Sequence, residues 1–356
     1  MPMPSLKLLC LEGDGIGPEI MRATLKVLEA VRPDLHRAVE ISQADIGFAA
    51  LQRDGTTLPE DVIARAKASD AVLLGPVSHN EYPPVSAGGV NPSGALRKAL
   101  DLYANIRPAK SWAGLPHPIA KPVDLIVVRE NHEGFYADRN MHQGPGEFMP
   151  VPGVALAMRR ITHDASQRIA ERAFAIAAER PAKKVAAIHK ANVMRLSDGL
   201  FLDVVRSVAA SYPGIAYEEV LVDAAAAHLV RSPERFDVLV TTNMFGDILS
   251  DLASELAGGL GLAGSLNAGP NHAAGQAQHG SAPDIAGQDR ANPVSLILSL
   301  AMLLRHFCED GAAGRIETAV AHLLADPATR TADLGGALGT QAFADHLVSA
   351  LKRNAA

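Results

Sequence analysis

Leu6-Lys7-Leu8-Leu9-Cys10-Leu11, followed after one residue by Gly13-Asp14-Gly15-Ile16-Gly17-Pro18-Glu19, is the stretch on which the fold turns. The apolar run reads as a buried strand, the glycines turn the chain, and Pro18 suits the first position of a helix reaching about Val31. Strand, glycine turn and helix invite a dinucleotide-binding reading. That motif needs G-x-G-x-x-G, however, and here the third glycine comes one residue early. No acidic residue clearly ends a second strand at the usual distance. The spacing favours a plain tight turn over a Rossmann site.

Outward from this stretch, short β-rich runs alternate with longer helical patterns, the mark of a mostly parallel α/β sheet. Strands are expected at Ala71–Leu74, 123–128, Lys184–His189, 219–222 and 238–242, with helices near 59–69, 94–102, 163–180, 197–211 and 224–230. Beyond residue 246 the pattern reads as mainly helical, near 247–257, 293–308, 314–324 and 340–352. Residues 76–93 form a polar loop long enough to be functional, and residues 139–155, rich in Gly, Pro and Met, suggest a protruding arm. No fixed-period repeat is visible.

A chain of 356 residues has room for two domains or one lobed α/β unit. Its net charge of -6 leaves no basic footprint for nucleic acid. Cys10 and Cys308 lie far apart, which fits a reducing cytoplasm rather than a disulfide framework. The N-terminus shows no signal-peptide pattern, and no charge-free apolar stretch of roughly 18 residues predicts a membrane span.

Three groups of residues could carry chemistry. Asp223 closes the apolar run Val220-Leu221-Val222. Asp247 and Asp251 lie four apart at a helix start, so both project from one face among Phe245, Ile248, Leu249 and Leu252. Like charges at that spacing repel, and a hard cation such as Mg²⁺ or Mn²⁺ would relieve them. The pair alone also fits a capped helix start beside a solvated carboxylate. Arg97, Arg107 and Arg129 end or flank apolar segments. Each singly reads as a surface ion-pair residue, but three guanidinium forks together suit a di- or tricarboxylate. Lys190, at a strand end, and Tyr136 are the candidate acid–base pair. His189 reads as a packed or surface histidine.

Six motifs occur in order along the chain. They are Gly13 to Glu19 as above, Leu102-Tyr103-Ala104-Asn105-Ile106-Arg107-Pro108, Arg129-Glu130-Asn131-His132-Glu133-Gly134-Phe135-Tyr136 and His189-Lys190-Ala191-Asn192-Val193. Phe245-Gly246-Asp247-Ile248-Leu249-Ser250-Asp251 and His279-Gly280-Ser281-Ala282-Pro283-Asp284-Ile285-Ala286-Gly287 complete the set. Together they closely resemble the isocitrate/isopropylmalate dehydrogenase family, the β-decarboxylating dehydrogenases, over about residues 6 to 310. The resemblance implies a two-domain α/β fold, not Rossmann, with a central, mostly parallel mixed sheet. Residues 1–104 and 250–356 would form a large cofactor-binding domain. Residues 105–249 would form a small substrate and dimerisation domain, with a dimer arm near 139–155.

The resemblance also implies roles. Asp223, Asp247 and Asp251 match Mg²⁺/Mn²⁺ ligands. Arg97, Arg107 and Arg129 match carboxylate-binding arginines, with Ser93 and Asn192 beside the substrate. Tyr136 and Lys190 match the acid–base residues. Lys190, through Asp223, would take the hydroxyl proton, and Tyr136 would return a proton after the β-carboxylate is lost. Lys190 and Asp223 reach the site from the neighbouring subunit in such enzymes, which implies a homodimer or a dimer of dimers. The loop of His279, Gly280, Ser281, Ala282, Asp284 and Ile285 would hold the adenosine, with Asn292 near the adenine. Asp284 can accept from both ribose hydroxyls and would repel a 2′-phosphate, so NAD is favoured over NADP.

The choice of acid rests on the loop before Arg97. Isopropylmalate enzymes resemble one another in placing a Glu and two leucines there, whereas this chain has Val90-Asn91-Pro92-Ser93-Gly94. The missing leucines argue against isopropylmalate, and Asn91 and Ser93 suit a polar arm. The stretches around Tyr103, Glu133 and Gly199-Leu200-Phe201-Leu202-Asp203 look most like homoisocitrate dehydrogenases. Departures from the family pattern at His132, Ala224, His228 and Gln276-Ala277-Gln278 keep 3-isopropylmalate and tartrate or D-malate as alternatives. A catalytically silent regulatory subunit is an alternative of another kind, disfavoured because every metal aspartate and both acid–base residues are present. The expected protein is a cytoplasmic, NAD-dependent enzyme acting on a small 2-hydroxy di- or tricarboxylate of homoisocitrate or isocitrate type, with no nucleic-acid or membrane partner.

Overall fold

A computed structural model describes residues 4–136 and 146–353. The chain divides into two compact units. One takes Met1–Asp101, Trp112–Pro116 and Gly259–Ala356, the other Leu102–Ser111 and His117–Gly258.

The first unit opens with β1 (Leu6–Leu11), α1 (Gly17–Val31), β2 (Val39–Ala44), α2 (Gly47–Asp54), α3 (Glu60–Lys67), β3 (Ala71–Leu74) and α4 (Pro92–Ala99). The second holds β4 (Ala104–Lys110), β5 (Asp124–Glu130), the hairpin β6 (Glu147–Val151) and β7 (Val154–Ala157), and α5 (His163–Glu179). It continues through β8 (Lys184–His189), α6 (Ser197–Ala209), β9 (Ala216–Leu221), α7 (Val222–Arg231), β10 (Val238–Thr241) and α8 (Asn243–Ala257). The first unit is completed by β11 (Gly264–Ala268), β12 (Ala273–Ala277), α9 (Val294–His306), α10 (Asp310–Ala325) and α11 (Thr340–Arg353). No helix among the described residues is long and apolar enough to cross a membrane.

In the first unit the strands run in the order β2-β1-β3-β12-β11, parallel except for the β11–β12 pair. The glycine turn after β1 is packed by backbone. A Cβ on Gly13 would lie 2.1 Å from the Pro76 carbonyl oxygen, and one on Gly15 would lie 2.0 Å from that of Ser281. Both residues also sit at positive φ, +75° and +57°. The Ile16 amide donates to the Ser281 carbonyl at 2.8 Å, and the Asp14 amide to that of Pro76 at 2.8 Å. The turn is thus crowded and hydrogen-bonded by the protein's own carbonyls, which fits a tight structural turn rather than a Rossmann phosphate site.

The four helices expected beyond residue 246 are present as α8 to α11, and β11 and β12 are two short strands that were not expected among them. Their Gly, Ala and Ser residues carry little strand preference. Burial against α9 makes them strands: Ser299 Oγ donates to the Gln276 carbonyl at 2.8 Å and accepts from the Ser265 amide at 3.0 Å. Strands β2 and β4 and helix α2 also lie outside the expected set. The arm expected at 139–155 falls partly outside the described residues. Its described part joins the β6–β7 hairpin, whose residues are all exposed.

In the second unit the order is β4-β5-β10-β8-β9, with β4 antiparallel to β5 and the rest parallel. Alternate residues of one strand feed opposite faces. Val185, Ala187, Val238 and Val240 pack under α5 and α6 with Phe174 and Phe201, while Ala186, Ile188 and Leu239 pack under α7 and α8 with Leu229 and Leu249. The register sets Thr241 opposite both Arg129 and Ile188. Arg129, Lys190 and the start of α8 therefore emerge at the carboxyl ends of neighbouring parallel strands.

Candidate active site

Helix α8 begins one residue after Thr242, and its first three turns place Asn243, Asp247 and Asp251 on one side. Arg129, at 2 % exposure, is the last residue but one of β5 and lies beneath them. Its Nε and Nη2 donate to Asn243 Oδ1 at 3.0 and 2.7 Å, and its Nη1 pairs with Asp247. Arg107, at 9 % exposure, reaches the same helix from β4. Its Nη1 lies 3.0 Å from Asp251, 3.4 Å from Asp247 and 2.8 Å from Ser250 Oγ, while its Nε donates to Asn105 Oδ1 at 2.5 Å. The Tyr136 hydroxyl donates to Asp247 Oδ2 at 3.2 Å, and the Arg129 guanidinium lies 5.8 Å from the centre of the Tyr136 ring.

Two buried cations therefore face two carboxylates and a phenol. Burial pushes the Asp251 carboxyl above its usual range and Asp247 adds to this, against the pull of Arg107. Hard carboxylate oxygens at this spacing are a donor set that fits Mg²⁺ or Mn²⁺, and a divalent ion there would offset both causes.

Lys190 and Asp223 form a second arrangement. Lys190 follows the last residue of β8, and its Nζ donates to Asp223 Oδ1 at 2.6 Å. This ammonium holds the largely exposed Asp223 carboxyl below its usual range. Asp223 sits in the first turn of α7 rather than at the strand end expected from sequence. Asn192 is exposed in the turn after Lys190. Among the described residues no three carboxylate, histidine or cysteine side chains gather as a metal site, so within one chain Asp223 does not join Asp247 and Asp251. Apolar side chains around these residues are exposed, among them Val193, Leu196, Val230 and Ile248.

In the other unit, Ser93 lies in the first turn of α4 and Arg97 in its last, both turned to Gln276 on β12. Ser93 Oγ donates to Gln276 Oε1 at 2.9 Å and Arg97 Nη2 to the same oxygen at 3.5 Å. The loop after β12 is anchored by Ser281, whose Oγ is 2.7 Å from Ser78 Oγ. Next to it Ala282 adopts a left-handed backbone with φ +38°. His279 Nδ1 lies 2.9 Å from the Gly280 carbonyl, and its Nε2 is buried without a hydrogen-bond partner; burial holds its pKa below the usual value. No atom would crowd a side chain at Gly280, and Asp284 is exposed beside the half-buried Ile285. Asn292 donates to Asp333 at 2.9 Å. An unsatisfied ring nitrogen, an open glycine and an exposed carboxylate are groups that fit a nucleoside.

Sequence reasoning gave no site role to Asn243 or Asn105 and named Gln276 only as a departure from the family pattern. Asn243 precedes Asp247 by four residues, the spacing that already joined Asp247 to Asp251, so the same rule identifies it. Nothing local to Gln276 points to its partners Ser93 and Arg97. A cavity of about 610 Å³ lined by Tyr103, Gln167, Arg172, Ser207 and Tyr212 lies along α5 and α6 and contains none of these site residues.

Comparison with known proteins matches residues 7–347 to the family described as Isocitrate/isopropylmalate dehydrogenase. The chain is 45% identical over 347 residues to an isocitrate/homoisocitrate dehydrogenase of Thermus thermophilus, covering 97% of this chain and 98% of the relative. It is 43% identical over 345 residues to a 3-isopropylmalate dehydrogenase of Archaeoglobus fulgidus, covering 97% and 99%. Among solved structures, isocitrate dehydrogenase from Methylococcus capsulatus superposes with a TM-score of 0.87 at 40% identity, covering 98% of this chain and 99% of that one.

Proposed function

The chain belongs to the isocitrate/isopropylmalate dehydrogenase family, whose members are decarboxylating dehydrogenases, and on that footing we propose that it oxidises a 3-substituted malate of homoisocitrate or isocitrate type. The observation that carries this reading is the pairing of buried Arg107 and Arg129 with Asp247 and Asp251 on one face of α8. A small acid with several carboxylates can take over the guanidiniums while the aspartates turn to a divalent cation. Arg97 and Ser93, held together by Gln276, are polar groups that support a carboxylate-bearing 3-substituent over an isopropyl group.

Asp223, Asp247 and Asp251 would hold Mg²⁺ or Mn²⁺, which supplies polarisation of the substrate hydroxyl, while NAD supplies the hydride acceptor. Arg107 and Arg129 bind and orient the carboxylates. Lys190, in its neutral form, takes the hydroxyl proton through Asp223. Tyr136, whose hydroxyl is already directed into the cluster, returns a proton to the carbon that has lost its carboxylate. Asn192 contacts the substrate from the turn after Lys190. His279, Gly280, Ser281, Ala282, Ile285 and Asn292 form the dinucleotide loop. Asp284 selects NAD over NADP by repelling a 2′-phosphate.

Because Asp223 and Lys190 pair with each other rather than with Asp247 and Asp251, the reading also holds that two copies of the chain complete each other's sites. The exposed apolar residues on α6, α7 and α8 support such a homodimer. The test is NADH formation with Mg²⁺ or Mn²⁺ over a panel containing homoisocitrate, isocitrate, 3-isopropylmalate, tartrate and D-malate. Turnover fastest on the first two supports the reading. Preference for 3-isopropylmalate or tartrate overturns the substrate, and no turnover with any acid overturns the enzyme.

A further inference from the structure

Asp198 lies in the first turn of α6 and is completely buried. A buried carboxylate is costly unless it is paired and hydrogen-bonded. Its Oδ2 accepts from the Lys190 backbone amide at 2.6 Å, and its Oδ1 lies 2.6 Å from Nη2 of Arg159, whose side chain is 8% exposed. The second contact is a close ion pair rather than a well-aligned hydrogen bond.

Arg159 has further partners. Its Nη1 donates to Ser197 Oγ at 2.7 Å and its Nη2 to Thr242 Oγ1 at 3.1 Å. Its guanidinium lies 5.7 and 5.6 Å from the ring centres of Phe135 and Phe245. Thr242 is the residue from which α8 starts, its carbonyl accepting from the Gly246 amide at 2.9 Å, and Phe135 directly precedes Tyr136. One buried ion pair therefore touches the Lys190 backbone, the start of the helix that bears Asp247 and Asp251, and the neighbour of Tyr136.

We propose that Asp198, neutralised by Arg159, is a positioning residue that fixes the Lys190 backbone and ties it to the start of α8. This rests on the reading of Lys190 as the proton acceptor. Lys190 is where β8 gives way to a turn. Its carbonyl is held by the Val193 and Met194 amides, both at 2.9 Å, and Asp198 holds its amide. With both backbone groups held, the side chain leaves in one direction, toward Asp223. Removing Asp198 frees the amide end of that clamp. A displacement of about 1 Å at a proton-transferring group costs about a hundredfold in rate when geometry governs the step.

The experiment uses the full-length protein with Mg²⁺, NAD and the best acid of the panel. Asp198→Ala is made in the native background and in a Lys190→Ala background. If Asp198 acts through Lys190, it lowers kcat at least about tenfold in the first, with KM within about threefold, and by less than about twofold in the second. Amide hydrogen exchange over residues 188–194, read without any turnover, becomes at least about tenfold faster in Asp198→Ala. Asp198→Asn keeps an oxygen for the Lys190 amide and restores protection; it also carries the comparison should the alanine variant not fold. Equal losses of kcat in the two backgrounds, or unchanged exchange at that segment, would overturn the proposal. Undiminished kcat in Lys190→Ala alone would remove the reading of Lys190, and this proposal with it, and that single variant tells the two failures apart.

Discussion

Around residues 13–17 the chain is crowded by its own backbone, whereas around residues 247–251 it is crowded by charge. In the glycine turn, carbonyl oxygens of Pro76 and Ser281 stand where side chains would begin. Asp14 is consumed by structure as well: Oδ1 accepts the Phe48 amide at 2.8 Å, and Oδ2 accepts the Ser78 amide at 2.9 Å and the Tyr82 hydroxyl. On α8 the carboxylates keep 35% and 53% of their side chains exposed while the arginines beneath them are buried. A motif whose polar groups are all satisfied inward serves folding. One that leaves carboxylates facing outward over buried cations is prepared for a ligand.

The sharpest way to break this contrast is Gly15→Ala. A methyl group 2.0 Å from a carbonyl oxygen, at positive φ, should destabilise the first unit by about 4 kcal/mol or more. Urea unfolding measures it; a loss below about 1 kcal/mol would mean that the turn tolerates side chains and has some other purpose.

Next in size is a carboxyl one residue from the charged cluster that belongs to the fold. Glu130 follows Arg129, is 4% exposed and accepts the His132 and Glu133 amides at 2.9 and 2.8 Å. Burial raises its pKa from 4.5 to about 7. Between those values the folded chain keeps a proton that the unfolded chain has released. The stability it contributes is therefore complete below pH 4.5 and is lost as pH rises to about 7, by at most about 3 kcal/mol. Glu130→Gln should flatten that slope in denaturant titrations run at several pH values. An unchanged slope would show that another group carries it.

Much of this architecture is legible in sequence where burial is two-sided. Strands β1, β3 and β8 are apolar runs, and α5, α6 and α11 keep a helical period. Strand β2 is not legible, since only Val39 of its six residues is buried. Strand β4 contains Pro108, which strand rules discount but which its place in the ladder accepts. Strands β11 and β12 are made of small residues whose strand state comes from α9 above them. The site divides in the same way. Asp247 and Asp251 stand out by their spacing, whereas Arg107 and Arg129 are marked by the motifs that carry them. Gln276 and Arg159 cannot be found in either way, because their partners, Ser93 and Arg97 for the first and Asp198 and Thr242 for the second, lie at least 39 residues away in the chain.

On the charged side, Asp247→Asn should lower metal-dependent turnover about a hundredfold, equivalent to about 2.7 kcal/mol in the barrier. Stability should fall by no more than about 3 kcal/mol, since Asn keeps an oxygen for Arg129 but removes the charge opposite its buried guanidinium. NADH formation over a range of Mg²⁺ concentrations, with thermal melting in parallel, separates the two effects. A variant that unfolds but turns over normally while folded would move Asp247 into the class of the glycine turn.

The smallest effect is expected at Tyr82→Phe. Burial, with the Asp14 carboxylate as acceptor, pushes the Tyr82 phenol well above its usual pKa, so it stays a donor throughout the working range. Its loss leaves Asp14 with two backbone amides, and the edge-on contact of the Phe48 and Tyr82 rings, 5.1 Å between centres, survives. The cost should be about 1 kcal/mol in urea unfolding, with kcat unchanged within about twofold. Stability preserved with turnover lost would be the opposite pattern, and it would mean that the glycine turn shares in the chemistry of the charged cluster at the start of α8.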